Sequence, residues 1–535
     1  MKKLVASLVV IGLTSLAVVT LFADNIKALS GMSADALAGE STVERRSSAS
    51  RGKLELKRFT QFAQANETYA SPAPAYLPPV PAPNPITRTA LDSKSTFAID
   101  VDTASYTWAR RTLLEQNTLP STDGVRVEEW VNAFDYALAA PERAPFAVSV
   151  EGAISPFDEQ KTLLKVALKG KVVTAALRKP AHLVFLVDVS GSMASADRLP
   201  LAKRALQVLT TQLTEADTVA LVTYAGSTAV VLPATSAANQ KTILSAIASL
   251  GAGGGTNMGT GMELAYAQAV KQVRRGTTTR VIVLTDGDAN IGNTSPAQML
   301  NAVHAHVEEG VTLTTVGFGL GNYRGGALEE LADKGNGQAL YVDGEAAIDR
   351  VFRKELTGTL EVIAKDVKVQ VSFDPSVVTS YRLIGYENRA VADADFRNDR
   401  VDAGELGAGH AVTALYEVTL SSKPGALGTV AVRGQLPDSG EAFELEQNIP
   451  RAVTAHGLSE MGSDFRFATA VALGADTLRG NAVGSWSLSA IAELARGASD
   501  ERAERLEFVA MMRRAEELRS RPVATRETRY DNTGY

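Results

Sequence analysis

From residue 181 to about residue 355 the chain alternates short apolar runs with helical segments, and that rhythm constrains the fold more than any other feature. Strands are read at 182–187, 218–224, 228–232, 280–285, 311–317 and 338–342, and helices near 199–213, 239–249, 259–274, 296–309, 325–334 and 345–360. Strands and helices in alternation predict a mainly parallel, doubly wound sheet, because parallel neighbours need a crossover that a helix supplies. Runs 218–224 and 228–232 are separated only by Ala225-Gly226-Ser227. That is too short for a crossover, so one of the two is expected as an antiparallel edge strand.

Strand periodicity also flanks this α/β region. It runs from Phe146 to Ile154 and from Leu163 to Lys169, where Leu164, Val166 and Leu168 face one way and Lys165 and Lys169 the other. The same pattern returns in Val367, Val369, Val371 and Phe373, then at 412–420 and 429–436. Strands from both flanks are expected to pair into one β-sandwich in which the central domain is an insertion. From about Ser459 the chain turns helical. In the last helix Phe508, Met511, Met512, Ala515 and Leu518 form one stripe, which reads as core, with Glu501, Arg502, Arg505, Arg513, Arg514 and Glu517 largely on the other side.

At 535 residues the chain is too long for a single core. The expected division is a signal peptide or membrane anchor (1–23), a disordered Pro-rich linker (24–92), and an N-terminal unit ending in strands (93–180). After these come the α/β domain (181–355), a β-rich domain (356–455), a helical C-terminal region (456–520) and a tail (521–535). Met1-Lys2-Lys3 precedes an uncharged, mainly apolar stretch from Leu4 to Ala23, an export signal whose length suits either a cleaved peptide or a retained anchor. Basic residues at its start put everything after Ala23 outside the cytoplasm, in the periplasm or at the cell surface, anchored in the inner membrane where the helix is retained. The Pro/Ala tract from Ser71 to Pro83 favours extended polyproline II and acts as a spacer.

A net charge of -6, from 54 basic and 60 acidic residues, offers no global attraction to nucleic acid and excludes that role. The absence of cysteine removes disulfides, thiolate metal sites and cysteine nucleophiles.

Three segments offer hard oxygen ligands: Asp188-Val189-Ser190-Gly191-Ser192, Gly253-Gly254-Gly255-Thr256-Asn257 and Thr285-Asp286-Gly287. The first follows the apolar run Leu183 to Val187 and the third follows Val281 to Leu284, so each Asp is expected where a buried strand ends. In an open parallel sheet those ends form the ligand-binding crevice. Two serine hydroxyls, a threonine hydroxyl and two carboxylates suit a hard divalent cation such as Mg2+.

The pattern resembles the metal-ion-dependent adhesion site of von Willebrand factor type A domains, Asp-x-Ser-x-Ser followed by a distant Thr and a distant Asp, with Asp188, Ser190, Ser192, Thr256 and Asp286 at its five positions. More widely, the chain from about Ser95 to Leu518 resembles the bacterial YfbK-like proteins, through Phe97 to Tyr106, Asp464-Phe465-Arg466-Phe467-Ala468 and Glu507-Phe508-Val509. The resemblance implies direct metal binding by Ser190, Ser192 and often Thr256, with Asp188 and Asp286 acting through water or directly. It implies Mg2+, with Mn2+ or Ca2+ as substitutes, and an open coordination position that an Asp or Glu of a protein partner completes.

Other motifs carry less. Asp100-Val101-Asp102-Thr103-Ala104-Ser105 lacks the Ser-x-Ser pair and reads as a strand end entering an amphipathic helix, near Ser105 to Leu114, with Ser or Asp as its cap. Asp286-Gly287-Asp288-Ala289-Asn290 starts like an EF-hand loop but has Ile291 in place of the required Gly. Gly317-Phe318-Gly319-Leu320-Gly321 is not a dinucleotide fingerprint. His304 and His306 point to different faces of one helix. A serine hydrolase built on Ser190 or Ser192 would need a neighbouring base, and His182 is expected at the far end of its strand, so a non-catalytic module is expected. The remaining alternative is a scaffold or stress-response subunit of the cell envelope.

Overall fold

The computed structural model describes residues 82–521 except 100–101, 157–159, 175–176, 288–295, 320–324, 356–357, 359 and 482–485. The expected signal or anchor, most of the linker, the EF-hand-like loop beyond Gly287 and the tail from residue 522 lie outside the described residues. The chain divides into a unit Met1–Ser71 and a unit Pro72–Tyr535, and all the described residues belong to the second. Among the described residues no helix is long and apolar enough to cross a membrane.

Before the α/β region the chain forms β1 (Thr87–Arg88), β2 (Lys94–Ala98), β3 (Phe146–Ile154) and β4 (Lys161–Gly170). Within it come β5 (Ala181–Asp188), β6 (Thr218–Tyr224), β7 (Thr228–Ser236), β8 (Thr278–Thr285), β9 (Val311–Phe318) and β10 (Ala339–Val342). After it come β11 (Val362–Phe373), β12 (Val378–Ile384), β13 (Gly404–Gly407), β14 (Ala411–Leu420), β15 (Gly428–Gln435) and β16 (Ala442–Ile449).

Strands from the two flanks share sheets. One sheet has the order β1-β12-β14-β4-β3; the other runs β13-β11-β15-β16, with β2 also paired to β11. Alternate residues of both point into a common core of Leu164, Val166 and Leu168 against Val369, Val371, Val430 and Val432. The α/β domain is therefore an insertion between β4 and β11 of a β-sandwich. Its own sheet has the order β10-β9-β8-β5-β6-β7. Pairs within it are parallel except β6 with β7, which makes β7 the antiparallel edge strand. Leu183, Phe185 and Val187 of β5 enter one apolar layer and Val184 and Leu186 the other, the two-sided burial of a central parallel strand.

The outer face of the β1-β12-β14-β4-β3 sheet is not solvated, and here several expectations need correction. Helices Ala104–Leu114 and Val127–Asn132 join Ser463–Leu478, Leu488–Arg496 and Ala503–Arg519 in one apolar bundle that also takes Ile384 and Leu415 from the sheet. Lys165 does face away from Leu164, Val166 and Leu168 as expected, yet it is 1% exposed; its ammonium lies 2.5 Å from Glu151 and over the rings of Tyr136 and Phe465. Arg505, placed on the polar side of the last helix, is fully buried, pairs with Asp464 and lies 4.7 Å over Phe467. The Ala104–Leu114 helix buries Ser105, Thr107, Arg111 and Thr112 as well as its apolar residues, because it is wedged between the bundle and the inserted domain. Its first turn is capped from elsewhere in the chain: Ser105 N donates to Glu129 Oε2 (2.7 Å), and Asp102 instead accepts from Ala339 N (2.8 Å). Folded chain also starts before the expected boundary at 93, since β1 pairs with β12 and Asn84 donates to the Gly385 carbonyl (2.7 Å). A two-residue strand is too short to show an alternation.

Candidate metal centre

Sheet order locates the crevice. From β5 the chain goes one way to β6 and β7, then returns to lay β8, β9 and β10 on the other side, so the switch point lies between β5 and β8. Ligands bind beyond the carboxyl ends of strands at such a point. The register sets Val187 beside Leu284, so Asp188 ends β5 next to Thr285, and Asp286 follows at once.

Asp188 is fully buried and Asp286 is 3% exposed. Asp188 Oδ1 accepts from Ser190 N (2.9 Å) and Oδ2 from Thr285 Oγ1 (3.2 Å). Burial pushes the Asp188 carboxyl above the usual carboxylate range; hydrogen bonds from Ser190 pull it back and the charge of Asp286 raises it further. Burial, with the charge of Asp188, likewise pushes the Tyr224 phenol up. A cation arriving here would favour ionised Asp188.

Ser190 is buried, Ser192 is exposed, and their Oγ atoms are 3.0 Å apart. An octahedral ion about 2.1 Å from its ligands places neighbouring oxygens about 3.0 Å apart, so this spacing suits two adjacent Mg2+ ligands. The second loop is fastened to the first by Gly191 N to Gly254 O (3.1 Å) and Gly253 N to Val189 O (2.7 Å). Gly254 makes that contact at φ +83, a conformation L side chains rarely adopt. Thr256 follows, half-buried, and Asn257 turns its Oδ1 to the Thr260 amide (3.4 Å) to cap the Met258–Ala269 helix. Asp188, Ser190 and Ser192 are thus linked by hydrogen bonds, Asp286 follows the neighbouring strand end, and Thr256 comes two residues after Gly254 in the loop fastened to the first. The donor set, two carboxylates and three hydroxyls, fits a hard divalent cation; no trio of His, Asp or Glu suited to a metal occurs among the described residues, so the hydroxyls are essential to it.

Two contributors were missed from the sequence. Thr285 steadies Asp188 and also accepts from Gly287 N (3.3 Å). Arg198 Nη1 donates to Asp286 Oδ2 (2.6 Å) and to the Ser192 carbonyl (2.8 Å). Thr285 could have been suspected from its place beside Asp286, whereas Arg198 lies in an irregular loop with no periodic signal. Among the described residues, neither serine is hydrogen-bonded to a His or Lys. His182 stands at the other end of β5, where Nδ1 meets Thr218 Oγ1 (2.8 Å) and burial, with Arg274, holds its imidazole below the usual range.

Known family models match along most of the described chain. The von Willebrand factor type A domain model matches residues 182–354, a model described as von Willebrand factor matches 80–165, and one described as "Uncharacterized protein YfbK, C-terminal" matches 358–427 and 421–518. The chain is similar to "Uncharacterized protein YfbK" of Escherichia coli (strain K12), at 38% identity over 502 residues, 88% of this chain and 86% of that one. It is 26% identical over 304 residues to inter-alpha-trypsin inhibitor heavy chain H3 of Mesocricetus auratus, 52% of this chain and 33% of that protein. A solved structure described as von Willebrand factor type A from Catenulispora acidiphila is 19% identical and covers 71% of this chain and 91% of its own, with a TM-score of 0.43.

Proposed function

The chain belongs to the YfbK family of von Willebrand factor type A proteins, and on that premise we propose that it is an exported protein-binding module in which Mg2+ at the sheet rim is shared with an acidic residue of a protein partner. Domains of this type typically bind a divalent cation and mediate contacts between proteins. The observation that carries the reading is the pair of serine hydroxyls, 3.0 Å apart, set above a buried carboxylate. Ser190, Ser192 and Thr256 would hold the ion through neutral oxygens, with Asp188 and Asp286 close by. When bound, the ion supplies a positive centre that a carboxylate can complete. Of the five residues of the pattern, only Asp188 and Asp286 bring negative charge toward the ion, because hydroxyls carry none. Gly191 keeps the Ser192 side of the loop open to a partner, while Asp188, buried at the strand end, stays out of reach.

The proposed location is the periplasm or cell surface. The test crosslinks full-length protein to its neighbours in intact cells, washes with and without EDTA, and repeats the capture with Ser190→Ala. A partner retained by wild type with Mg2+, released by EDTA and absent with Ser190→Ala is the expected result. Equal recovery in all three refutes metal-bridged binding.

A further inference from the structure

We propose that Arg198 is a resident counter-cation of the rim: by holding Asp286 it keeps that carboxylate from satisfying the ion, so that metal binds weakly alone and tightly only together with an anionic ligand. This rests on the reading of the rim as a metal site and goes beyond it, since it assigns a residue outside the adhesion-site pattern and predicts how metal and ligand binding are coupled.

The placement of Arg198 is built in from several sides. One nitrogen, Nη1, joins Asp286 of the third loop (2.6 Å) to the main chain at Ser192 of the first (2.8 Å). The Asp286 side chain is 1% exposed, so the pair is shielded from solvent on the carboxylate side, where charge interactions are less screened. The arginine stem lies against Gly319, whose φ is +90; a Cβ there would come within 2.7 Å of both Cγ and Nε of Arg198. The preceding residue is anchored too. Asp197 accepts from Ser195 Oγ (2.6 Å) and from Arg111 Nη2 (3.1 Å), which reaches in from the Ala104–Leu114 helix.

A fixed guanidinium repels a divalent ion and competes with it for the same carboxylate, so both effects lower the affinity for metal alone. The same positive charge favours an anion at the ion's exposed side. Metal and anionic ligand then strengthen each other's binding, and such coupling is reciprocal.

The test is Mn2+ titration of the full-length protein by electron paramagnetic resonance, with and without acetate as the carboxylate probe. Expected for Arg198→Ala is Mn2+ affinity in the absence of acetate raised by about tenfold, and an acetate enhancement smaller than that of wild type. Arg198→Gln, which keeps a donor for the Ser192 carbonyl but no charge, carries the same expectation if the alanine variant does not fold. Unchanged or weaker Mn2+ binding by these variants, in a wild type whose binding is abolished by Ser190→Ala, overturns the role of Arg198 alone. Wild type that binds no Mn2+ overturns the metal reading and this inference with it.

Discussion

Replacing Asp476 by alanine tests how the C-terminal helices are held to the sandwich. Arg382 on β12 reaches from the sheet to Asp476 on the Ser463–Leu478 helix, 3.0 Å away, with the two side chains 4% and 3% exposed. Asp476 also accepts from Asn481 Nδ2 (2.8 Å), while Arg382 Nε is buried with no hydrogen-bond partner among the described residues. At an effective dielectric of about 20 two unit charges about 4 Å apart attract by about 4 kcal/mol. Removing one member of a buried pair strands the other, and such changes cost about 3–5 kcal/mol. Asp476→Ala is therefore expected to destabilise the helix-on-sheet contact by that amount, read as a lowered urea midpoint by circular dichroism and as earlier tryptic release of the C-terminal helices. A double replacement, Arg382→Met with Asp476→Leu, should recover most of the loss, because an apolar pair of similar volume fills the space with no charge to strand. A single variant within about 1 kcal/mol of wild type, or a double variant no better than the single, would show that the pair does not hold the layers together.

Two more outcomes rest on geometry. Gly319→Ala forces a Cβ onto Arg198 at a φ of +90, so it should cost about 1–3 kcal/mol and shift Mn2+ affinity in the same direction as Arg198→Ala; an unchanged melting temperature argues against the close approach. Among the described residues no hydrogen-bond donor meets either buried carboxylate oxygen of Glu405, and burial pushes its carboxyl up to about 7, against the nearby Lys365 and Arg280. A carboxyl raised in this way binds more protons folded than unfolded between its ordinary value and about 7, so its effect on stability worsens as pH rises through that window and is constant above it. Glu405→Gln should therefore stabilise the protein more at pH ~8 than at pH ~4.5, and an equal effect at both in urea titrations would refute the burial argument.

The α/β insertion was legible because its signals are local. β5 and β8 are apolar runs closed by Asp, and the three-residue link between β6 and β7 forces an antiparallel pair. The sandwich was legible from alternation in β3, β4, β11 and β14, but β12, β13 and β16 were not anticipated; their pairing depends on partners far along the chain. What stayed hidden concentrates where a second layer covers the face opposite an apolar stripe. Lys165 and Arg505 read only as members of the face opposite an apolar stripe, because nothing near them in sequence announces the carboxylate and ring that receive them. The rim shows the same division, with its three oxygen-bearing loops visible as motifs and Arg198 set in place by Gly319, Ser192 and Asp286 from separate parts of the chain.

The insertion also dictates an order of assembly. Lys169 on β4 donates to the Gly409 carbonyl 240 residues later, and β14, the strand that β4 needs, follows directly. During synthesis β3 and β4 emerge as a hairpin with an open edge and must wait while the whole inserted domain is made. Once that domain folds, its two ends meet, with Lys179 N donating to Glu361 Oε2 (2.8 Å) across 182 residues. A long loop then behaves as a short one, and closing the sandwich costs far less entropy. The folded domain that carries the rim thus also brings together the two ends of the sandwich that it separates in sequence.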